Sequence, residues 1–147
     1  MFQFQFFKIP KTLSRSYCTR ALQTLEKVVK KPQQGIINLI VISEEEMARM
    51  NKQFRGKEGP TDILTFSYRN KSGLRVAESP DFIVGEIYLC LEKIKTYAQE
   101  RGVTYKEQLE YIIIHGLVHL MGYDHENDTD WKKMEKIEKK IQSEIQQ

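Results

Sequence analysis

The stretch His115-Gly-Leu-Val-His119-Leu-Met-Gly-Tyr-Asp-His125 decides how the chain is read, and it holds all 3 histidines of the protein. Residues i and i+4 of an α-helix lie one above the other on the same face. His115 and His119 therefore point two imidazoles toward one place. Gly122 marks the stop of such a helix, because glycine takes the left-handed conformation without a Cβ clash. The chain then turns and can return His125 as a third nitrogen donor. Three neutral imidazoles with an open fourth position are the usual ligand set of a catalytic zinc. The spacing thus predicts one zinc ion held by His115, His119 and His125. Nickel, copper and iron suit the same donor type.

Working outward, Thr104 and Glu107 form a capping box that starts the helix near Tyr105. Leu109, Ile112, Ile113, Leu117 and Leu120 recur at helical spacing, and Ile114, Val118 and Met121 add apolar residues on the other side. A helix apolar nearly all round is a buried one. His115 and His119 share a narrow polar edge with Gln108. A buried helix with one histidine edge implies something inside that needs nitrogen donors.

Before this helix the chain alternates strand and helix patterns. Phe2, Phe4 and Phe6 alternate with Gln3 and Gln5, which is the period of a strand with one apolar face. Pro10 sits at or just before a predicted helix carrying Leu13, Tyr17, Ala21, Leu25 and Val28, with Lys27, Lys30 and Lys31 at its end. Pro32 and Gly35 break the chain. Ile36 to Ile42 reads as a mostly buried strand. Ser43 and Glu46 form a second capping box, with Ile42 and Met47 as its hydrophobic staple. The helix from Glu44 to about Phe54 is expected to carry Met47, Met50 and Phe54 inward.

Gly56, Gly59 and Pro60 then make a loop leading to a strand at Ile63, Leu64 and Phe66. Arg55, at the head of this loop, offers a planar fork of donors that matches a phosphate. It equally suits packing the loop or pairing with Asp62, which is read as bracing the same loop. Residues 67–81, with Asn70, Gly73, Ser79 and Pro80, read as a loop or hairpin tip. Phe82 to Cys90 is a further strand, and Gly85 inside it signals a bulge or a close backbone approach. Leu91 to Arg101 is a helix with Ile94, Tyr97 and Ala98 inward, stopped by Gly102. Beyond the histidines, acidic residues open a last helix whose buried stripe is Trp131, Met134, Ile137, Ile141 and Ile145. Its Lys132, Lys133, Lys136, Lys139 and Lys140 read as a solvated face.

At 147 residues the chain is long enough for one domain, 1–147, with a real core. A hydrophobic share of 40% and a charged share of 29% are ordinary for a soluble globular protein. The net charge of +3 permits nucleic-acid binding without demanding it. No apolar run approaches the ~20 residues of a membrane span. The first residues lack the basic leading region and cleavage site of a signal peptide. Cys18 and Cys90 show no framework spacing and read as reduced thiols of a cytoplasmic protein, outside the metal site.

Two stretches carry a family resemblance. His115 to His125 resembles, at every fixed position, the signature H-G-x-x-H-L-x-G-Y-D-H of the YbeY family of metal-dependent endoribonucleases and ribosomal RNA maturation factors. Asn51 to Phe66 resembles that family's second signature, N-x-x-[FY]-R-G-K-x-x-P-T-D-[VI]-L-[ST]-F. Gly85-Glu86-Ile87 fits its G-[DE]-[IV]. The resemblance spans nearly the whole chain. It implies a single-strand-specific endoribonuclease in 16S 3′-end processing and ribosome quality control, with Arg55 in the active site. It also implies ribosomal RNA, small-subunit ribosomal proteins and a ribosome-associated GTPase as partners. The expected fold is α+β: a small mixed sheet of about four strands packed with helices, the metal helix central and buried, zincin- or metzincin-like.

The chemistry separates the candidate classes. In H-E-x-x-H proteases the glutamate is the general base, and here that position is Gly116. A peptidase of that kind is disfavoured. For a phosphodiester, Arg55 can neutralise developing charge. Glu86 and Asp124 are the carboxylates available to move protons, and Asp124, next to His125, is preferred as a hydrogen-bond partner of a ligand histidine. The alternatives are a metallohydrolase acting on another substrate and a non-catalytic, metal-stabilised ribosome-assembly factor, which a fourth protein ligand would mark.

Overall fold

In the computed structural model, which describes residues 2–29, 34–68, 82–122 and 128–145, the alternating patterns become four strands and five helices. They run β1 (Phe2–Phe7), α1 (Arg15–Val29), β2 (Gly35–Val41), α2 (Glu44–Arg55), β3 (Ile63–Ser67), β4 (Ile83–Leu89), α3 (Leu91–Arg101), α4 (Tyr105–Leu120) and α5 (Asp128–Ile145). The fold is α+β. The strands form one sheet in the order β1-β2-β4-β3, with β1, β2 and β4 parallel and β3 antiparallel at the edge. The expected mixed four-stranded sheet is what the chain builds. The reading of residues 69–81 as a loop, and of Lys30 and Lys31 at a helix end, lies outside the described residues.

Period two decides which side chains meet which helices. Ile37, Leu39, Val84, Ile87 and Phe2, Phe4 and Phe6 of β1 join the core built by α1, α4 and α5. On the opposite face Ile42, Met47, Leu64 and Cys90 form a smaller cluster, flanked by Met50, Phe66 and Tyr88. Met47 and Cys90 are fully buried in it. Phe54, expected inward, is instead 54% exposed and meets the Phe66 ring edge-on at 5.1 Å. It lies seven residues after Met47, where α2 has reached the sheet edge.

Helix starts follow their caps. Thr104 Oγ1 accepts from the Glu107 amide at 3.1 Å and donates to its carboxylate at 3.0 Å. Ser43 Oγ accepts from the Glu46 amide at 3.2 Å. Pro10 starts no helix: its carbonyl accepts from Leu13 in a turn, and Ser14 Oγ takes the Tyr17 amide, so α1 begins at Arg15. A hydroxyl that caps an amide outweighs a proline's preset φ here.

Helix α4 is the centre. Nine of its residues are buried, including Ile113, Ile114, Leu117 and Val118. Two glycines let it lie close on the sheet. A Cβ on Gly116 would sit 2.7 Å from Ile63 Cδ1, and one on Gly85 would sit 2.8 Å from Leu120 Cδ2 and 3.1 Å from the Phe66 carbonyl. The register of β2 on β4 also shifts beside Gly85, between Ile36 and Ile37. Both readings of that glycine, bulge and close approach, are realised. The helix ends after Leu120, and Gly122 follows at φ 93°.

Candidate active site

The two histidines stand on α4 as the spacing requires. His115 Nε2 and His119 Nε2 lie 3.1 Å apart, with the rings edge-on. Two nitrogen lone pairs repel at that distance unless a proton or cation lies between them. Donors bound to one tetrahedral zinc at about 2.0–2.1 Å stand roughly 3.3–3.4 Å from each other. The pair as folded is within a few tenths of an ångström of that spacing, so the donor set fits such an ion. His125 and Asp124 lie outside the described residues. Both cysteines are free and buried in the core.

The orientation of His115 is fixed from two sides. Its Nδ1 lies 2.7 Å from Glu138 Oε1 on α5. Tyr111, one turn earlier, stacks on its ring at 5.8 Å, and Arg101 lies over the Tyr111 ring at 4.9 Å. Arg101 Nη1 in turn donates to Gln108 Oε1 at 2.6 Å, which occupies a buried amide on the histidine edge of α4. With Nδ1 facing a carboxylate, the proton belongs on Nδ1 and Nε2 keeps its lone pair for an ion. Glu138 orients His115, a role the sequence reading did not assign to it. Its signal is present in the sequence: Glu138 stands where the stripe Met134–Ile141 calls for an apolar residue, and it is only 8% exposed.

A cleft of about 530 Å³ opens over the pair, lined by Arg55, Asp62, Thr65, Arg101, His115 and His119 among others. Arg55 reaches it from the end of α2. Gly56 ends that helix in the left-handed conformation at φ 67°. The buried Asn51 then donates from Nδ2 to the Gly59 carbonyl at 2.8 Å, and Lys52 pairs with Glu58, so the loop is tied back to the helix. These ties, and not a bond to Asp62, place Arg55 on the cleft.

Asp62 is in the cleft as well. Burial raises its carboxyl above the usual carboxylate range, against hydrogen bonds from Thr61 and the Asp62 and Ile63 amides and the pull of His115. Read from the sequence as a brace, it is the half-buried carboxyl beside the histidines.

Glu86 is not brought to the site. It faces away from α4, on the side of the sheet opposite Ile87, and accepts from Asn38 Nδ2 at 3.3 Å and from the Tyr68 hydroxyl. A strand one residue out of phase puts every side chain on the other face. Trp131, expected in the buried stripe of α5, is 50% exposed and lines the cleft instead.

Fold and site together define an α+β protein with a histidine pair on a buried helix, facing a cleft that an arginine lines. A model of the family described as Endoribonuclease YbeY matches residues 2–146. An Endoribonuclease YbeY of Thermodesulfovibrio yellowstonii is 34% identical over 139 residues, covering 94% of this chain and 84% of that protein. Its namesake from Thermotoga maritima is 37% identical over 125 residues, covering 84% and 77%. A solution structure of a Thermotoga maritima protein superposes with a TM-score of 0.61 at 29% identity, covering 98% of this chain and 92% of that one. The chain belongs to the YbeY endoribonuclease family.

Proposed function

We propose that this chain is a zinc-dependent, single-strand-specific endoribonuclease of ribosomal RNA maturation, acting in 16S 3′-end processing and ribosome quality control. The observation that carries the reading is the convergence of His115 Nε2 and His119 Nε2 at 3.1 Å in a cleft that Arg55 also lines. His115, His119 and His125 would hold one ion, which when bound polarises a phosphoryl oxygen and lowers the pKa of water toward ~7.

The chain's own residues do the rest. Arg55 offers its guanidinium fork to the phosphate oxygens and offsets the charge that develops there. Glu138 holds His115 in the tautomer that leaves Nε2 available. Asp62, with its raised pKa, is the cleft carboxyl suited to take a proton from the attacking group. Ribosomal RNA, small-subunit ribosomal proteins and a ribosome-associated GTPase are the partners we assign, in the cytoplasm. No described helix is long and apolar enough to cross a membrane.

The test is single-turnover cleavage of a single-stranded RNA by purified wild type, Arg55→Ala and His119→Ala, each with and without chelator, after a check that all are folded. Cleavage by wild type alone, abolished by chelator and restored by zinc, is the expected result. Equal trace cleavage in every sample identifies a contaminant and overturns the nuclease reading.

A further inference from the structure

The cleft does not end at His115. It continues into a second hollow of about 480 Å³ between α4 and α5, and Arg101, Gln108, Tyr111, His115 and Trp131 border both. The two are halves of one groove with different charge balances. The first half sets Arg55 and Arg101 against Asp62 and Glu100 around the histidines. Among the described residues, the second is lined by Glu107, Glu110, Glu135 and Glu138 against Arg101 and Lys139, and Lys139 is already 2.9 Å from Glu135. A phosphate is less favoured in the second half, where carboxylates outnumber cations, than beside Arg55 in the first.

What suits the second half is neutral, flat and edged with hydrogen-bond donors. Carboxylates accept from the amino groups of nucleobases. An aromatic ring adds the other half of base recognition, because every base has a π-face to stack. Trp131 stands at the waist between the hollows, half exposed, on a helix whose neighbouring Met134 is buried. Leaving that much indole outside the core forgoes hydrophobic stabilisation that a buried ring would supply.

We propose that the hollow between α4 and α5 is a base-binding subsite, in which Trp131 stacks on the base next to the scissile phosphate and the glutamate rim favours bases that carry amino groups. The assignment rests on the endoribonuclease reading and extends it to a second site along the strand. It also accounts for a preference for single strands: a base can enter the hollow only when it is unpaired and unstacked.

The chain has 1 tryptophan, so its emission reports on Trp131 alone. The zinc-loaded protein is titrated with cleavage-resistant, phosphorothioate single-stranded octamers, and binding is followed in parallel by anisotropy of end-labelled copies. Oligo-A and oligo-C are expected to quench the emission saturably and to bind several-fold tighter than oligo-U. An octamer of abasic sites should bind weakly and leave the emission unmoved. Trp131→Ala should weaken binding about tenfold, in the range of a lost base–aromatic stack, and Trp131→Phe should recover most of it. Normal RNA binding with no quenching and no loss in Trp131→Ala overturns the subsite and leaves the nuclease reading standing. No RNA binding by any oligomer overturns both.

Discussion

His115 Nδ1 and Glu138 Oε1 lie 2.7 Å apart across the α4–α5 contact, both largely buried. The bond couples the last helix to α4 and sets which imidazole nitrogen faces the cleft. Loss of such an outer partner typically costs about 10–100-fold in metal affinity. Glu138→Ala should therefore weaken zinc binding by about that factor in a competition titration with a chromophoric chelator. Glu138→Gln, whose amide oxygen can still accept from Nδ1–H, should lose less. Equal affinity in all three proteins would show that the carboxylate does not orient the ring.

Arg55 makes a second prediction. Its guanidinium stands on the cleft because Asn51 and the Lys52–Glu58 pair tie the loop back onto α2. Removing a donor aimed at developing charge costs roughly 100–1,000-fold in kcat. Arg55→Lys should recover only part, since an ammonium lacks the bidentate fork. Asn51→Ala should give a smaller loss of kcat, together with about 1–3 kcal/mol of stability from the broken buried hydrogen bond. Denaturant melts alongside single-turnover rates separate the two effects.

Asp62 yields a pH prediction. Burial raises its carboxyl above the ordinary aspartate value of about 3.9. A group acting as base must be ionised, so activity should rise with pH through that raised pKa and be lost below it. The acidic limb of kcat/KM should therefore lie above the usual aspartate range. Asp62→Asn should remove that limb and lower the rate by about 100-fold or more. An unchanged limb in the variant would assign it to another group.

Much of this site is legible in the sequence because its determinants are local. The capping box at Thr104, the histidine pair four apart, the apolar girdle of α4 and the stop at Gly122 are each signals carried by α4 and its own ends. What sequence does not supply is phase and partner. Glu86 reads as a neighbour of the metal helix, but strand period alone does not say which face the helix covers, and it faces the other way. Trp131 and Glu138 trade roles for the same reason. Helical spacing puts Trp131 and Glu138 on one face with Met134 and Ile141 but does not say what that face meets: the turn facing His115 carries the Glu138 carboxylate, and Trp131, about two turns earlier, opens onto the groove. Arg101 bonding Gln108 joins two helices, and no local pattern announces it.

Gly116 tests why the protease glutamate is absent. That position faces Ile63, Thr65 and Ile87 of the sheet, and only 2.7 Å would separate a Cβ there from Ile63 Cδ1. Gly116→Glu would restore H-E-x-x-H in sequence but drive a carboxylate into an apolar contact with no partner. We expect a loss of more than about 4 kcal/mol, the range reached when a buried unpaired charge is combined with overpacking, seen as insoluble protein or an early urea midpoint. A stable Gly116→Glu protein would mean that α4 can lift off the sheet.

The two thiols supply the last prediction. Burial pushes Cys18 up to about 12 and Cys90 up to about 11, the latter with help from Glu92. The thiolate is the reactive form, so at pH 8 neither cysteine should react with an aromatic disulfide reagent within minutes, and both should react once guanidinium unfolds the chain. The sign of the linkage follows from the direction of the shift. Neutral thiols favour the folded state below the unfolded pKa of about 8.5, and that contribution is lost as pH rises toward 11–12. Tyr17, also raised by burial and by Glu110, acts in the same direction from the ordinary tyrosine value upward. Unfolding midpoints should therefore hold steady from about pH 7 to about 8.5 and fall beyond it, and Cys18→Ala should flatten that fall. Rapid native labelling of one thiol would place a cysteine at the surface and remove the basis for the alkaline decline.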